Sequence, residues 1–334
     1  MLLSLTIGTA LVLSACGGGG GSTSASTSTL PGSTTTLSTI SSANSTQVAG
    51  NAYAANGAIG NSSTGVSTLV TGVSIEGTGV STVSPALDLV MQAFDSGAPK
   101  LLTGVSTSQA CPGGGTIAIN GTAQSQTGPS NGDNLTFTAT NCVENGATIN
   151  GAFTVILSGI TGTVSTTGAW SATLDFQFNA FGVTSGSESV TATGDMKIGY
   201  NQSSSTSKSL AISGKSLQGS QSKAGVKVAD RTLTDYSATS VIFGSTVNTT
   251  ANYTMSGNTS SLGQFTYTVK NLQPFVSTIG GTPTSGSMII NGASSSVTVT
   301  VIDANNVRLD YSAKGDGVIT QTITVSWTTL KSSL

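Results

Sequence analysis

From residue 116 to the C-terminus, apolar and polar positions alternate with period two, the pattern of strands that bury one face. Asn134-Leu135-Thr136-Phe137-Thr138-Ala139-Thr140 alternates strictly. Similar runs are Thr116–Ile119, Ala152–Leu157, Ala172–Phe178, Val190–Ile198, Thr234–Phe243, Thr249–Met255, Gln264–Val269, Ser295–Ile302, Val307–Tyr311 and Val318–Trp327. Turn-forming pairs fall between them: Asn131-Gly132, Asn145-Gly146, Gly280-Gly281 and Lys314-Gly315. Short connections join antiparallel neighbours. The expected fold is therefore mainly β: an extended antiparallel meander sheet, open or partly rolled, with one short N-terminal helix. That helix is expected over Ser84–Asp95, where Ser84 caps, Pro85 takes the first helical position, and Leu87, Val90, Met91 and Phe94 share a face. Asp88 suits the positive end of its dipole. The triplet Ile-Asn-Gly recurs at Ile119, Ile149 and Ile290 with no constant period, and reads as a recurrent turn.

The first 15 residues, MLLSLTIGTALVLSA, form an apolar run of signal-peptide length, too short to span a bilayer as a helix. Leu13-Ser14-Ala15-Cys16 matches the bacterial lipobox, in which cleavage precedes the cysteine and the cysteine is acylated. The match implies lipidation at Cys16 and a membrane partner reached through N-terminal acyl chains. Each buried methylene contributes about 0.8 kcal/mol, so several chains hold firmly where one holds reversibly. In Gram-negative lipoproteins an Asp after the cysteine marks inner-membrane retention; Gly17 resembles the outer-membrane class instead. No charge occurs between Cys16 and Glu76. The expected organisation is a signal peptide over 1–15, a lipidated cysteine and Gly/Ser/Thr-rich flexible tether over 16–75, a short helix and lead-in over 76–110, and the β domain over 111–330.

Composition narrows the chemistry. The 334 residues carry 11 Lys and Arg, 13 Asp and Glu, and no His, with Ser and Thr making up roughly a third, far above average usage. A nucleic-acid binder needs a dense basic face, and none is present. Without histidine the Ser-His-Asp and Cys-His constellations and most catalytic zinc sites are removed. Hydrophobic residues at 37% allow a core, so low charge does not mean disorder here. Outer-membrane barrels need aromatic girdles; 2 Trp and 6 Tyr scattered along the chain do not supply them.

With Cys16 assigned to lipid, Cys111 and Cys142 remain as an even pair, in an oxidising compartment most simply a disulfide. Cys111-Pro112-Gly113-Gly114-Gly115, Gly132-Asp133 ahead of a strand closing on Cys142, and Asn150-Gly151 together resemble poorly characterised outer-membrane lipoproteins of proteobacteria, as does the closing stretch Val307–Tyr311 through Gly315-Asp316-Gly317 to Trp327. The resemblance implies a helix and a Cys-x-Gly-Gly segment opening a long antiparallel sheet at the outer membrane, on its periplasmic or surface face. It carries no catalytic residues.

Other candidates weigh against bland readings. Asp310, Ser312 and Asp316 carry a shadow of a calcium loop, but Lys314 stands where a carboxylate belongs and no Glu closes it, so the expectation is a charged hairpin turn and no metal. Asp303-Ala304-Asn305-Asn306 reads as a turn. Ser205-Thr206-Ser207-Lys208 has S-x-x-K spacing but lacks its companion motifs and reads as a polar loop. Lys215, Lys223, Lys227 and Arg231 read as a solvated hairpin flank rather than a polyanion site. Lys197, Lys270 and Arg308 are expected to guard sheet edges. The leading functional expectation is a lipid-anchored envelope lipoprotein without cofactor or catalysis, structural or binding a glycan, lipid or protein. A secreted hydrolase using Asp175, Glu188 or Asp316, and an assembly or fibre subunit pairing through strand edges, are the alternatives.

Overall fold

In the computed structural model, residues 36–57, 82, 85–90, 106–125, 128–163 and 168–332 are described, and Thr36–Leu334 forms one compact unit. The alternating pattern is realised as β1 (Thr107–Ala110), β2 (Thr116–Thr122), β3 (Asn134–Glu144), β4 (Ala147–Gly162), β5 (Trp170–Ser185), β6 (Glu188–Ser204), β7 (Ser207–Lys223), β8 (Val226–Phe243), β9 (Thr246–Thr259), β10 (Gly263–Thr278), β11 (Ser285–Gly292), β12 (Ser295–Val301), β13 (Asn306–Ser312) and β14 (Gln321–Ser326). All fourteen form one sheet in sequence order. Every pairing is antiparallel, and the sheet stays open, with β1 and β14 as its edges among the described residues. The fold is thus the expected meander. Between β3 and β4, Asn145 and Gly146 both take positive φ, 49° and 79°, the mirror-image turn that matches strand twist.

One sheet face is buried. On β5, Trp170, Ala172, Leu174, Phe176 and Phe178 point inward while Thr173, Asp175 and Gln177 point outward. The inward series resumes at Phe181, three residues after Phe178, because Ala180 adopts φ 48° and shifts the register. This irregularity belongs to a line that crosses the sheet. Register shifts fall between Ala139 and Cys142, Asn150 and Ala152, Phe178 and Phe181, Gly194 and Lys197, Thr234 and Ser237, Lys270 and Phe275, and Asn271 and Gln273. At several of these bulges a neighbouring side chain takes a backbone N–H that the ladder does not. Asn141 N donates to Asn150 Oδ1, Ala180 N to Thr193 Oγ1, Lys215 N and Ser216 N to the Asp195 carboxylate, and Ala251 N to Asn271 Oδ1. Aligned bulges bend and twist a sheet, so this crease curls it around its apolar face.

The Ile-Asn-Gly expectation is corrected here. Gly121 and Gly151 lie inside β2 and β4, not in turns, at φ 137° and 93°. A Cβ on either would stand 2.0 Å from a backbone oxygen, of Asn134 and Ala180 respectively, so close strand approach explains these glycines.

Inside the curl, Phe137 stacks on Phe153 at 4.7 Å, and Phe181 meets Phe153 edge-on at 5.1 Å. Truncating such a buried ring costs about 3–5 kcal/mol. Over β9 and β11 to β13 the core is filled by α1 (Ser45–Gly57). Val48, Ala49 and Ala52 of α1 are fully buried, and Tyr53 packs against Phe275 and Trp327. The residues before α1 form a strap that reaches β10, the β11–β12 turn and β13. Ser38 N donates to Thr266 O, Ala293 N to Ser38 O, and Tyr311 Oη to Ile40 O.

These contacts correct the tether assignment. Residues 36–57, placed in the flexible segment 16–75 on composition, belong to the core. The small residues Ala, Ser and Gly let α1 sit close to the sheet, where helix periodicity is not needed because α1 is buried on several sides. The expected N-terminal helix is present at 85–90 as α2, with Ala86, Leu87, Leu89 and Val90 buried; Ser84 and residues 91–95 lie outside the described residues. A C-terminal helix, α3 (Trp327–Ser332), was not expected and closes the core with Trp327 and Leu330. The gatekeeper reading also needs correction. Lys197 and Lys270 sit on β6 and β10, inside the sheet, and only Arg308 on β13 neighbours an edge strand.

Candidate functional site

The outward face of the sheet is coated with hydroxyl groups in register. Thr136 and Thr154 lie 2.9 Å apart, Thr161 and Ser171 2.7 Å, and Thr239 and Thr250 2.7 Å. Across β5 to β8, Thr173, Gly199, Ala211 and Thr239 stand directly opposite one another, and Ser171, Asn201, Ser209 and Val241 form the next row. Gly199 and Ala211 contribute almost no side chain, so the rows sink into a hollow of about 340 Å³. The titratable side chain among its lining residues is Tyr200, whose phenol turns inward to Gln202 Oε1 at 2.8 Å and is pushed up to about 12 by burial. Hydroxyls and a carboxamide can hydrogen-bond a ligand but cannot shuttle protons at neutral pH. One row further along, Lys197 and Asp175 form an exposed ion pair at 3.7 Å. Such pairs in mid-strand, with Lys215 and Asp235 at 3.0 Å, would face hydrocarbon in a membrane barrel, which argues against one.

The sequence candidates disperse. Asp175 lies within β5, Glu188 opens β6 with Lys223 at 3.8 Å, and Asp316 sits between β13 and β14. These three hydrolase candidates are on different parts of the sheet and do not form a paired-carboxylate site. In the calcium candidate, Asp310 accepts from Arg308 Nε and Thr322 Oγ1, both at 2.8 Å, whereas Asp316 accepts from Ser312 Oγ and Val318 N. The carboxylates serve separate turns and pairs, and no metal-holding group of three or more such side chains occurs among the described residues. Asp303 accepts from Asn305 N and Asn306 N, a turn as expected, and these bonds hold its carboxyl below the usual range. Ser205 and Thr206 form the turn between β6 and β7, while Ser207 and Lys208 open β7.

In the basic cluster, Lys215, Lys223 and Lys227 each face a carboxylate, Lys227 meeting Asp230 at 2.7 Å. Arg231 departs from the solvated reading: it is buried beneath α1, where its Nε donates to Asn51 Oδ1 at 2.9 Å. The disulfide is formed, with Cys111 and Cys142 joined at a Cα separation of 5.4 Å and both buried. Cys16 lies outside the described residues. The hollow itself was not predicted, because it requires four strands in a particular register, which alternation alone does not give. No described helix is long and apolar enough to cross a membrane. No family model matches the chain, and neither a curated protein nor a solved structure is similar to it.

Proposed function

We propose that this protein is an outer-membrane lipoprotein, anchored through acyl chains on Cys16, whose hydroxyl-coated sheet face binds a partner without transforming it. The observation that carries the binding role is the outward hollow over Gly199 and Ala211, rimmed by Thr173, Thr239, Ser171, Asn201 and Ser209. Its chemistry suits a ligand rich in hydroxyls and amides, such as a glycan, because registered donors and acceptors can be matched along an extended chain. The anchor rests on Leu13-Ser14-Ala15-Cys16 after an apolar run. The Cys111–Cys142 bridge supports an oxidising compartment. Metabolic labelling with a palmitate analogue is expected to mark the wild-type chain and not Cys16→Ala; label retained in the variant overturns the lipoprotein reading. Glycan-array binding that Gly199→Leu abolishes, with the thermal transition unchanged, supports the hollow as the binding site. Unaltered binding in that variant removes it.

A further inference from the structure

Among the described residues β14 is an edge of the sheet, and that edge has the geometry of a self-association surface. Trp327 N donates to Asn305 O at 2.9 Å, in the same register that pairs Arg308 with Thr324 and Leu309 with Ile323. In an antiparallel ladder, bonded residues recur every second position. Gln321, Ile323 and Val325 therefore direct their backbone groups at β13. Thr322, Thr324 and Ser326 direct theirs away, toward the edge. Residue parity on β13 agrees: Ile302 N bonds Asn306 O on the other side, so its even-numbered residues serve β12 and its odd-numbered ones serve β14.

Natural edge strands are protected by charge, proline, bulges or brevity. β14, Gln-Thr-Ile-Thr-Val-Ser, carries no charge and no proline, pairs with β13 without a register shift, and runs six residues. Its side chains suit a two-sided interface. Ile323 and Val325 are half-buried on the core side, while Thr322 and Thr324 lie on the outer face. The opposite edge, β1, has four residues and is followed at once by the bridged Cys111, a blunter target.

We infer that β14 pairs antiparallel with β14 of a second copy of this chain, about a two-fold axis through Thr324. This register places Thr324 opposite its counterpart, with reciprocal N–H to C=O bonds. It is flanked on either side by Ser326 N–H donating to the partner copy's Thr322 C=O. Uncharged residues then meet across the seam, Thr324 against Thr324 and Thr322 against Ser326, whereas a heterotypic peptide strand would find no charge to select it. An isologous contact closes on itself, so the product is a dimer with one continuous sheet, not a fibre.

Sedimentation velocity of the full chain in mild detergent tests the pairing. Wild type is expected to sediment as a dimer. Thr324→Lys and Thr324→Glu each place like charges directly opposite and are expected to be monomers. Their equimolar mixture is expected to regain the dimer, because the axis then sets Lys against Glu. Thr324 is exposed, so both variants are expected to keep the wild-type circular dichroism and thermal transition, which separates loss of the dimer from loss of the fold. Thr107→Lys on β1 is expected to leave the dimer intact. A monomeric wild type, variants that dimerise as wild type does, a mixture that stays monomeric, or dissociation by Thr107→Lys would each overturn the inference.

Discussion

Asp195 is the point at which the crease can be tested by a single substitution. Its two carboxylate oxygens accept Lys215 N and Ser216 N, each at 2.8 Å, the backbone groups that the β6–β7 register shift releases from the ladder. A hydrogen bond to a charged acceptor contributes about 1.5–3 kcal/mol when buried. Asp195 is half-buried, so water partly replaces the lost acceptor, and the two bonds together should stabilise the fold by about 2–3 kcal/mol. Asp195→Ala is therefore expected to lower the urea midpoint by that amount divided by an unchanged m-value. Asp195→Asn keeps one acceptor oxygen and should lose about half as much. Asp175→Ala is the internal control: it removes a carboxylate from the same outer face whose ion pair with Lys197 is exposed on both sides, at 57% and 40%, and should cost under about 1 kcal/mol. Hydrogen exchange at the amides of Lys215 and Ser216 should rise selectively in Asp195→Ala. If that variant costs no more than Asp175→Ala, with those amides still protected, the carboxylate does not hold the crease and the account of the bend is wrong.

Two further outcomes follow from separate features. The bridge between Cys111 and Cys142 spans 31 positions, so closing that loop should contribute about 3–4 kcal/mol; the Cys111→Ala/Cys142→Ala variant should lose this in oxidising buffer and respond no further to reductant, and a loss under about 1 kcal/mol refutes the loop-closure argument. Partial burial of Asp88 within α2, and then the negative charge of Glu144, raise its carboxyl above the ordinary value of 3.8. The folded state thus holds this proton more tightly than the unfolded state does. The associated stability is present below the ordinary value and is lost as pH rises through the raised one. Asp88→Asn should accordingly be more stable than wild type at neutral pH, with the difference vanishing toward pH 3; a constant difference across that range counts against burial as the cause.

What could be read in the sequence was set by how local the determining interactions are. Strands such as β3 and β5 announce themselves, because Leu135, Phe137, Phe176 and Phe178 alternate with polar residues. β7 does not, although it is one of the most interior strands. Leu210, Ile212 and Leu217 are its large inward residues, separated by Lys, Ser and Gly, and the parity of the series changes between Ile212 and Leu217 at the crease. A period-two template fails where a bulge inserts a residue. Helix α1 was hidden for another reason. Asn51 reads as solvent-loving until Arg231, 180 residues away, supplies its partner. The outward hollow depends on Gly199 and Ala211 falling side by side, a pairing with no signature within either strand. By contrast, the disulfide followed from arithmetic on three cysteines, since no tertiary detail was needed to leave one pair.

The strap also fixes an order of events in folding. Ile40 O accepts from Tyr311 Oη across 271 positions, and Ile40 N donates to Ser295 Oγ across 255. The residues that emerge first therefore find their partners among those that emerge last, and α1 must wait for β9 through β13 before it can be covered. Contacts of such sequence separation carry a large loop-closure cost that is repaid late. Maturation should end with capture of the N-terminal segment by a nearly complete sheet, so a chain cut short before β12 would leave α1 exposed and open to proteolysis even though its own residues are intact.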